Sequence, residues 1–325
     1  MHILITILQR LAYAALLLIA VLVLNFSMMN LAPGDVADTI AASMGGADAE
    51  LMEQIRSEYG LDQPFFVQLV AYIGRVLSFD LGYSYFYNTP VTDLIFERLP
   101  ATLLLVVTAQ ILALVIGVLL GVFSARHPNG IANYFVTFFA LFGYAAPVFW
   151  TGILLLIAFS LKIPLFPVAG MSDVTVEGNF FVEALDVAHH MVLPVITLGS
   201  IFLALYSRLS RASMLEVLGS DYVRTAKAKG LTPREVTLKH ALKNALPPVV
   251  TLAGLQFSAV ISGAVLVETV FSWPGLGQLA LTSILARDTP TILGILFFSA
   301  LVVIIGNLLT DLVMRLIDPR VRGRA

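Results

Sequence analysis

The chain has 325 residues, 58% hydrophobic and 12% charged, with a mean hydropathy of +0.91. Soluble domains carry about 25% charged residues, so a single soluble core is excluded and a multi-span membrane protein is expected. With no cysteine there are no disulfides and no thiolate metal sites, and the formal charge of −2 conceals a strong sidedness.

Stretches free of Asp, Glu, Lys and Arg run over 11–34, 99–125, 127–161, 187–207, 244–267 and 289–310. Each can hold the roughly 20 residues that cross about 30 Å of hydrocarbon. Six transmembrane helices are therefore predicted, in an all-α membrane protein. The expected division is a first transmembrane helix with a cytoplasmic N-terminus over 1–34, an external segment over 35–98, a five-helix core over 99–317 and a cytoplasmic tail over 318–325. Arg10 precedes an apolar run longer than a usual signal h-region, with no cleavage site after it, so this run is expected to remain as a span.

Residues 35–98 hold ten acids against three arginines. Within them AELMEQIRSEYG predicts a short polar helix closed by Gly60. PFFVQLVAYIGRVL predicts an amphipathic helix, with Phe65, Phe66, Leu69, Tyr72, Ile73 and Val76 near helical spacing. Its apolar face either packs on the outer ends of the spans or seats an external protein. The second span carries Gly117 and Gly121 four apart, a spacing that lets helices approach closely and is expected to serve packing within the chain. Pro147, in GYAAPVFW, predicts a kink in the overlong third stretch. A second external loop is expected over 162–190, ending at His189 and His190. Neighbouring histidines on a helix diverge, and no H-E-x-x-H or Cys/His spacing accompanies them, so no metal is expected.

The longest polar run of the second half, 208–245, carries Arg208, Arg211, Arg224, Lys227, Lys229, Arg234, Lys239 and Lys243 against Glu216, Asp221 and Glu235. Ser220 predicts an N-cap, with Asp221 at the positive end of the helix dipole. Gly230 predicts a left-handed stop after Lys227 and Lys229. Thr232, Pro233 and Glu235 then spell a capping box with Pro at the first helical position, and Pro247–Pro248 is expected to end the run. The pattern predicts a rigid helix–Gly–helix elbow between two spans; a merely solvated basic loop is the alternative.

Glu268 closes the fifth span. Hydration is one reading, contact with a peptide amine or partner subunit the other. With Phe271 and Trp273 expected at the bilayer interface, the three residues form a candidate external gate or binding-protein contact. The charge-free stretch 269–286 contains Pro274, Gly275 and Gly277. A broken helix in lipid leaves backbone groups unsatisfied, so a loop and a short interfacial or re-entrant helix are expected there. Asn307 and Asp311 lie one turn apart on the sixth span, where bundle packing or hydration accounts for them. With the N-terminus inside, cytoplasmic segments hold 14 of the 19 Lys and Arg and external segments 5, in keeping with the positive-inside rule.

The string DYVRTAKAKGLTPREVTLKHALKNALPPVVT resembles the cytoplasmic coupling loop of ABC-importer permeases of the dipeptide/oligopeptide/nickel family. Arg224, Thr225 and Ala226 stand at the Glu-Ala-Ala positions of general importer permeases, without the Glu, and Gly230 at the following glycine. NLAPGD, EYGLDQP, FDLGYS, ERLPATL, ETVFSWPGLG and the tail DPRVRGRA are similar to strings of the same family, and GYAAPVFW, MVLPVITLG and RLSRASMLEVLGSDYVRTAKAKG to its dipeptide branch. The resemblance implies a type I importer permease fold with a long external loop after the first helix, in a bacterial inner membrane and with both termini cytoplasmic. It implies a second permease, two ABC ATPase subunits holding ATP and Mg, and an external solute-binding protein. It also implies that Arg224, Thr225, Ala226, Lys227, Gly230, Thr232 and Pro233 couple to the ATPase.

No G-x-x-x-x-G-K-[ST] is present, so hydrolysis is expected on partner chains, with no catalytic residue, cofactor or nucleic-acid partner here. Dipeptides or oligopeptides are the first substrate class; nickel chelates, glutathione and haem are alternatives. An ion-coupled secondary transporter would keep carboxylates or histidines at mid-membrane, and the six span cores lack Asp, Glu, Lys and Arg. An intramembrane enzyme finds no motif.

Overall fold

A computed structural model describes residues 2–31, 52–53, 56–57, 60–128, 130–131, 133–134, 138, 143, 145–176 and 178–317. The polar helix expected around 49–59 and much of the stretch before Pro147 fall largely outside these residues; the tail 318–325 falls wholly outside. The helices are α1 (His2–Leu31), α2 (Phe65–Leu77), α3 (Val91–Arg126), α4 (Val148–Leu156), α5 (Phe180–Leu218), α6 (Asp221–Ala228), α7 (Pro233–Glu235), α8 (Lys243–Val270), α9 (Leu276–Ala286) and α10 (Thr289–Ile317). Wide π turns follow α4, over Ile157–Lys162, and α7, over Val236–Leu242. A small antiparallel hairpin, β1 (Tyr83–Ser84) with β2 (Thr89–Pro90), precedes α3.

Among the described residues four helical runs are long and apolar enough to cross a membrane: Val91–Arg126, Phe180–Leu218, Pro233–Val270 and Thr289–Met314. Shorter apolar helices lie at Ala12–Met28, Phe65–Leu77, Val148–Lys162 and Leu276–Ala286. The chain forms two compact units, residues 1–100 with 275–304, and residues 101–274 with 305–325.

In the first unit α2 is amphipathic as predicted, except that Phe66, expected on the apolar face, is exposed. Leu69, Tyr72 and Val76 are buried one turn apart, while Phe66 and Val70 face outward. Tyr72 and Val76 join a cluster with Leu22, Val91, Ile95, Leu276 and Phe298, and the Phe26 and Tyr72 rings stack at 5.3 Å. The hairpin is tied to the start of α10 by a buried carboxylate. Ser84 Oγ and Thr291 Oγ1 donate to Asp288 Oδ2 at 2.5 and 2.6 Å, and Tyr87 N–H donates to Ser84 Oγ at 3.0 Å. A buried carboxylate bonded from two elements in this way fixes the geometry around it.

In the second unit α3 and α5 cross at small residues. A Cβ at Gly117 would meet Tyr206 Cβ at 2.8 Å. One at Gly121 would meet Ser210 Cβ at 2.5 Å and the Ser207 carbonyl oxygen at 2.7 Å. The Gly117/Gly121 spacing thus serves packing within the chain. α8 and α10 meet in the same way, with Gly254 against Thr310 and Gly306 against Phe257. Gln110 Nε2 donates to Tyr206 OH and to the Ala253 carbonyl oxygen, both at 2.9 Å. That joins α3, α5 and α8 through polar groups where lipid offers none.

Four boundaries differ from the sequence expectation. The loop expected over 162–190 ends at Asn179, because the Asn179 side chain accepts from Phe181 and Val182 N–H and starts α5 ahead of Glu183 and Asp186. Residues 208–218 are not part of a separate polar elbow; they continue α5, which at 39 residues extends about 58 Å and outruns the bilayer core. Pro147 starts α4 from an extended conformation rather than kinking a continuous helix. Pro247 and Pro248 lie inside α8 and do not end it. The π turn just before them widens the hydrogen-bond ladder, and Asn244 Nδ2 and Thr251 Oγ1 bond the His240 and Pro247 carbonyls.

Gly121→Ala is expected to destabilise the protein by roughly 1–3 kcal/mol, because backbone must shift to admit the methyl. Gly74→Ala, with open space around its Cβ, is expected to be neutral or stabilising by up to about 1 kcal/mol. Thermal unfolding in the same detergent checks both; equal effects would contradict the close crossing.

Candidate functional site

The elbow is built from both ends inward. Ser220 has the extended backbone of an N-cap, but its hydroxyl turns back to donate to the Val217 carbonyl at 2.5 Å and caps nothing. Asp221 occupies the first turn, where Arg224 Nη1 donates to its Oδ1 at 3.2 Å. At the other end Gly230 takes φ +81°. Its N–H donates to the Lys227 carbonyl at 3.0 Å, and the Leu231 N–H to the Ala226 carbonyl at 3.4 Å. This pair of bonds is a Schellman motif, accompanied by the usual apolar contact of the residue after the glycine. Nothing lies within 4 Å of a Cβ built on Gly230, so the glycine is required by backbone conformation and not by space.

The capping box is complete. Glu235 N–H donates to Thr232 Oγ1 and Thr232 N–H to Glu235 Oε2, each at 3.3 Å, while the Thr232 hydroxyl also donates to Oε2 at 2.9 Å. Lys239 Nζ lies 3.3 Å from Glu235 Oε1. Pro233 stands at the first helical position, as predicted.

Between the caps the elbow has two faces. Val223, Ala226 and Val236 are buried against Val217, Leu218 and Leu231. Beneath them Ala125, Met214, Ala241 and Ala245 knit the lower ends of α3, α5 and α8 together. Asn244 Nδ2 donates to Tyr222 OH at 3.1 Å, a second tie between α6 and α8. Arg224, Thr225, Lys227, Gly230, Thr232 and Pro233 are exposed, whereas Ala226 is only 6% exposed and points inward. Ala226 therefore packs on the inner face of the elbow. Two exposed apolar side chains, Tyr222 and Leu238 at 45% and 47%, lie among the basic residues. Sequence reasoning passed over them; an aromatic and a leucine inside a polar run were the available signal.

The second predicted group lies elsewhere and is internal. Glu268 is fully buried and accepts from Thr102 Oγ1 at 2.7 Å. Trp273 N–H donates to the Glu268 carbonyl at 2.8 Å, and Trp273 Nε1 to the Ala101 carbonyl at 2.9 Å. Phe271 and Trp273 are buried, and the Phe271 carbonyl accepts from Gly170 N–H at 2.9 Å. Hydration of Glu268 and a wet edge for the two aromatic rings are thus corrected: a buried carboxylate needs a bonded partner, and the Thr102 hydroxyl supplies one. His189 and His190 are used within the chain, His189 on the Leu165 carbonyl and His190 Nδ1 at 3.3 Å from Asp186 Oδ1. Among the described residues no cluster fit to hold a metal ion occurs.

Residues 117–323 match the family model described as "Binding-protein-dependent transport system inner membrane component", and residues 3–106 match its N-terminal companion. The oligopeptide transport system permease protein AppB of Bacillus subtilis is 39% identical over 97% of this chain and 98% of its own length. The dipeptide transport system permease protein DppB of Escherichia coli K12 is 39% identical over 98% of each. Among solved structures, an inward-facing MetNI methionine ABC transporter superposes with a TM-score of 0.55 at 17% identity, over 69% of this chain and 96% of that one. That likeness carries the fold alone, the type I importer permease. The chain belongs to the family of binding-protein-dependent transport system inner membrane components.

Proposed function

We propose that this chain is one of two transmembrane subunits of an ATP-driven importer of dipeptides or oligopeptides. The substrate class comes from the full-length likeness to permeases named for those peptides. The observation that carries the mechanism is the elbow: capped at Thr232 and Gly230, buried on one face and basic on the other. The chain has no phosphate-binding loop, so hydrolysis belongs to two partner ATPases. Their grooves receive Tyr222, Arg224, Thr225, Lys227, Thr232, Pro233 and Leu238. Ala226 and Gly230 keep that surface rigid from behind. Closure of the ATPases moves the elbow, and the elbow moves α5 and α8, into which it is packed. A second, similar permease completes the pathway, and an external binding protein delivers the peptide. The two outward and inward states differ in which partners they hold, and that difference in binding drives the switch. Six crossings are assigned, with the elbow and both termini in the cytoplasm and residues 35–98 outside. Thr102, Glu268, Phe271 and Trp273 form an internal brace at the outer end of α8, and through it the external gate.

Two experiments test this reading. In vesicles holding the assembled transporter and its binding protein, Gly230→Val forces a branched side chain into a left-handed conformation, at a cost of roughly 1–2 kcal/mol. Ala226→Asp buries a carboxylate. Both are expected to lower peptide uptake per ATP hydrolysed by at least about tenfold with normal amounts of chain in the membrane. Unchanged uptake would contradict the elbow's role. Because the chain has no cysteine, single cysteines report sidedness cleanly. A membrane-impermeant maleimide is expected to reach Lys227→Cys only from the cytoplasmic side and Asp62→Cys only from outside; the reverse labelling would overturn the assigned topology.

A further inference from the structure

A cavity of about 590 Å³ lies wholly within the first unit, between the end of α1, α2, the hairpin and the start of α10. That volume suits a small organic ligand. Its walls include the apolar residues Phe26 and Leu293 and three residues of a different kind: Tyr72, Arg75 and Asp80.

Tyr72 is the least expected of these. It is only 8% exposed, and its hydroxyl has no hydrogen-bond partner among the described residues. A buried hydroxyl left unpaired costs about 1–3 kcal/mol, so a group that reaches it from the cavity is favoured. Burial pushes this phenol up to about 12, which keeps its proton in place as a donor at any physiological pH. Arg75 follows one turn later on the same helix face. No ion pair joins Arg75 to Asp80 among the described residues, although both line the same cavity. Asp80 spends Oδ1 on the Gly82 N–H at 3.1 Å, which fixes the carboxylate and leaves Oδ2 to face a ligand. A cation and an anion that line one cavity without pairing to each other, with a neutral donor one helical turn from the cation, match a ligand carrying both charges. Phosphate fits poorly: one guanidinium does not balance a dianion, and Asp80 repels it.

We infer that this cavity binds a small zwitterion, its carboxylate on Arg75 and the Tyr72 hydroxyl, its ammonium on Asp80, and its apolar part against Phe26 and Leu293. A free amino acid and a short peptide both have this chemistry. Assigning the site to a short peptide rests on the transport reading above; the charge arrangement does not. The site would hold substrate on the permease itself, apart from the external binding protein.

The test uses the assembled transporter in nanodiscs without its binding protein. The probe is an alanyl dipeptide whose second residue carries a diazirine, and adducts are mapped by mass spectrometry. Labelling is expected on residues 65–77 and 289–294. Dialanine is expected to displace the probe, while N-acetyl-dialanine, lacking the ammonium, and dialanine amide, lacking the carboxylate, compete at least about tenfold more weakly. These competitions need no variant. Arg75→Gln and Asp80→Asn are each expected to weaken the site about tenfold, Asn keeping the acceptor for Gly82, and Tyr72→Phe to weaken it by about threefold or more. Labelling absent from both segments would overturn the inference, as would equal competition by the blocked dipeptides. Displacement by acetate or phosphate as effective as by dialanine would reduce the cavity to a simple anion site and also overturn it. Dipeptide uptake is measured in parallel with the binding protein present. Uptake without labelling removes this site and leaves the transport reading standing. Labelling without uptake keeps the zwitterion site and removes the peptide assignment.

Discussion

An eight-residue helix such as α6 is not stable by itself in water, because nucleation costs more than two turns return. Its existence depends on burial of Val223 and Ala226 against Val217, Leu218, Leu231 and Val236. The left-handed Gly230 makes that burial possible. It stops α6 and sends the chain back so that Leu231 covers the same apolar face before Thr232 starts the next helix. Force applied to the exposed residues therefore reaches α5 and α8 without bending an intervening loop.

The same logic of close contact runs through the spans of the second unit. Between apolar helices in lipid, burial of apolar area gives no drive to associate, so backbone proximity and interhelical hydrogen bonds must supply it. Gly117, Gly121, Gly254 and Gly306 provide the proximity, and Gln110 provides bonds to two other helices. At the far end of α8 the Thr102–Glu268 bond and the Trp273 indole tie the turn after the helix to the α3 residues Ala101 and Thr102. α8 is thus held at both ends, by the elbow's packing and by this buried brace, and movement of one end has a mechanical route to the other.

Much of this was legible in the residues. Gly230, the Thr232–Glu235 box, the Gly117/Gly121 pair, the amphipathic α2 and the break at Pro274–Gly275 all follow from local rules that tertiary context did not override. What escaped was mostly tertiary. The inward aim of Ala226 depends on where the end of α5 lies. Glu268 reads as a hydrated carboxylate at the end of a span until Thr102, 166 residues away in sequence, is seen to bond it. Ser220 favours a carbonyl one turn back over the helix it precedes. The Pro247–Pro248 pair reads as a stop because single-residue propensity says nothing of the π turn before it. The two-residue strands of the hairpin are too short to show any alternation, and Asp288 holds them from the far end of the sequence.

The central claim is that the elbow moves as one body with the end of α5. The most direct measurement places spin labels at Leu215→Cys and Lys227→Cys in the assembled transporter and records the distance distribution between them without nucleotide and with ATP trapped on the partner subunits. A single narrow distribution, unchanged by nucleotide, is the result this account predicts. A broad distribution, or one that shifts when ATP binds, would mean that the elbow flexes against α5, and the account would be contradicted.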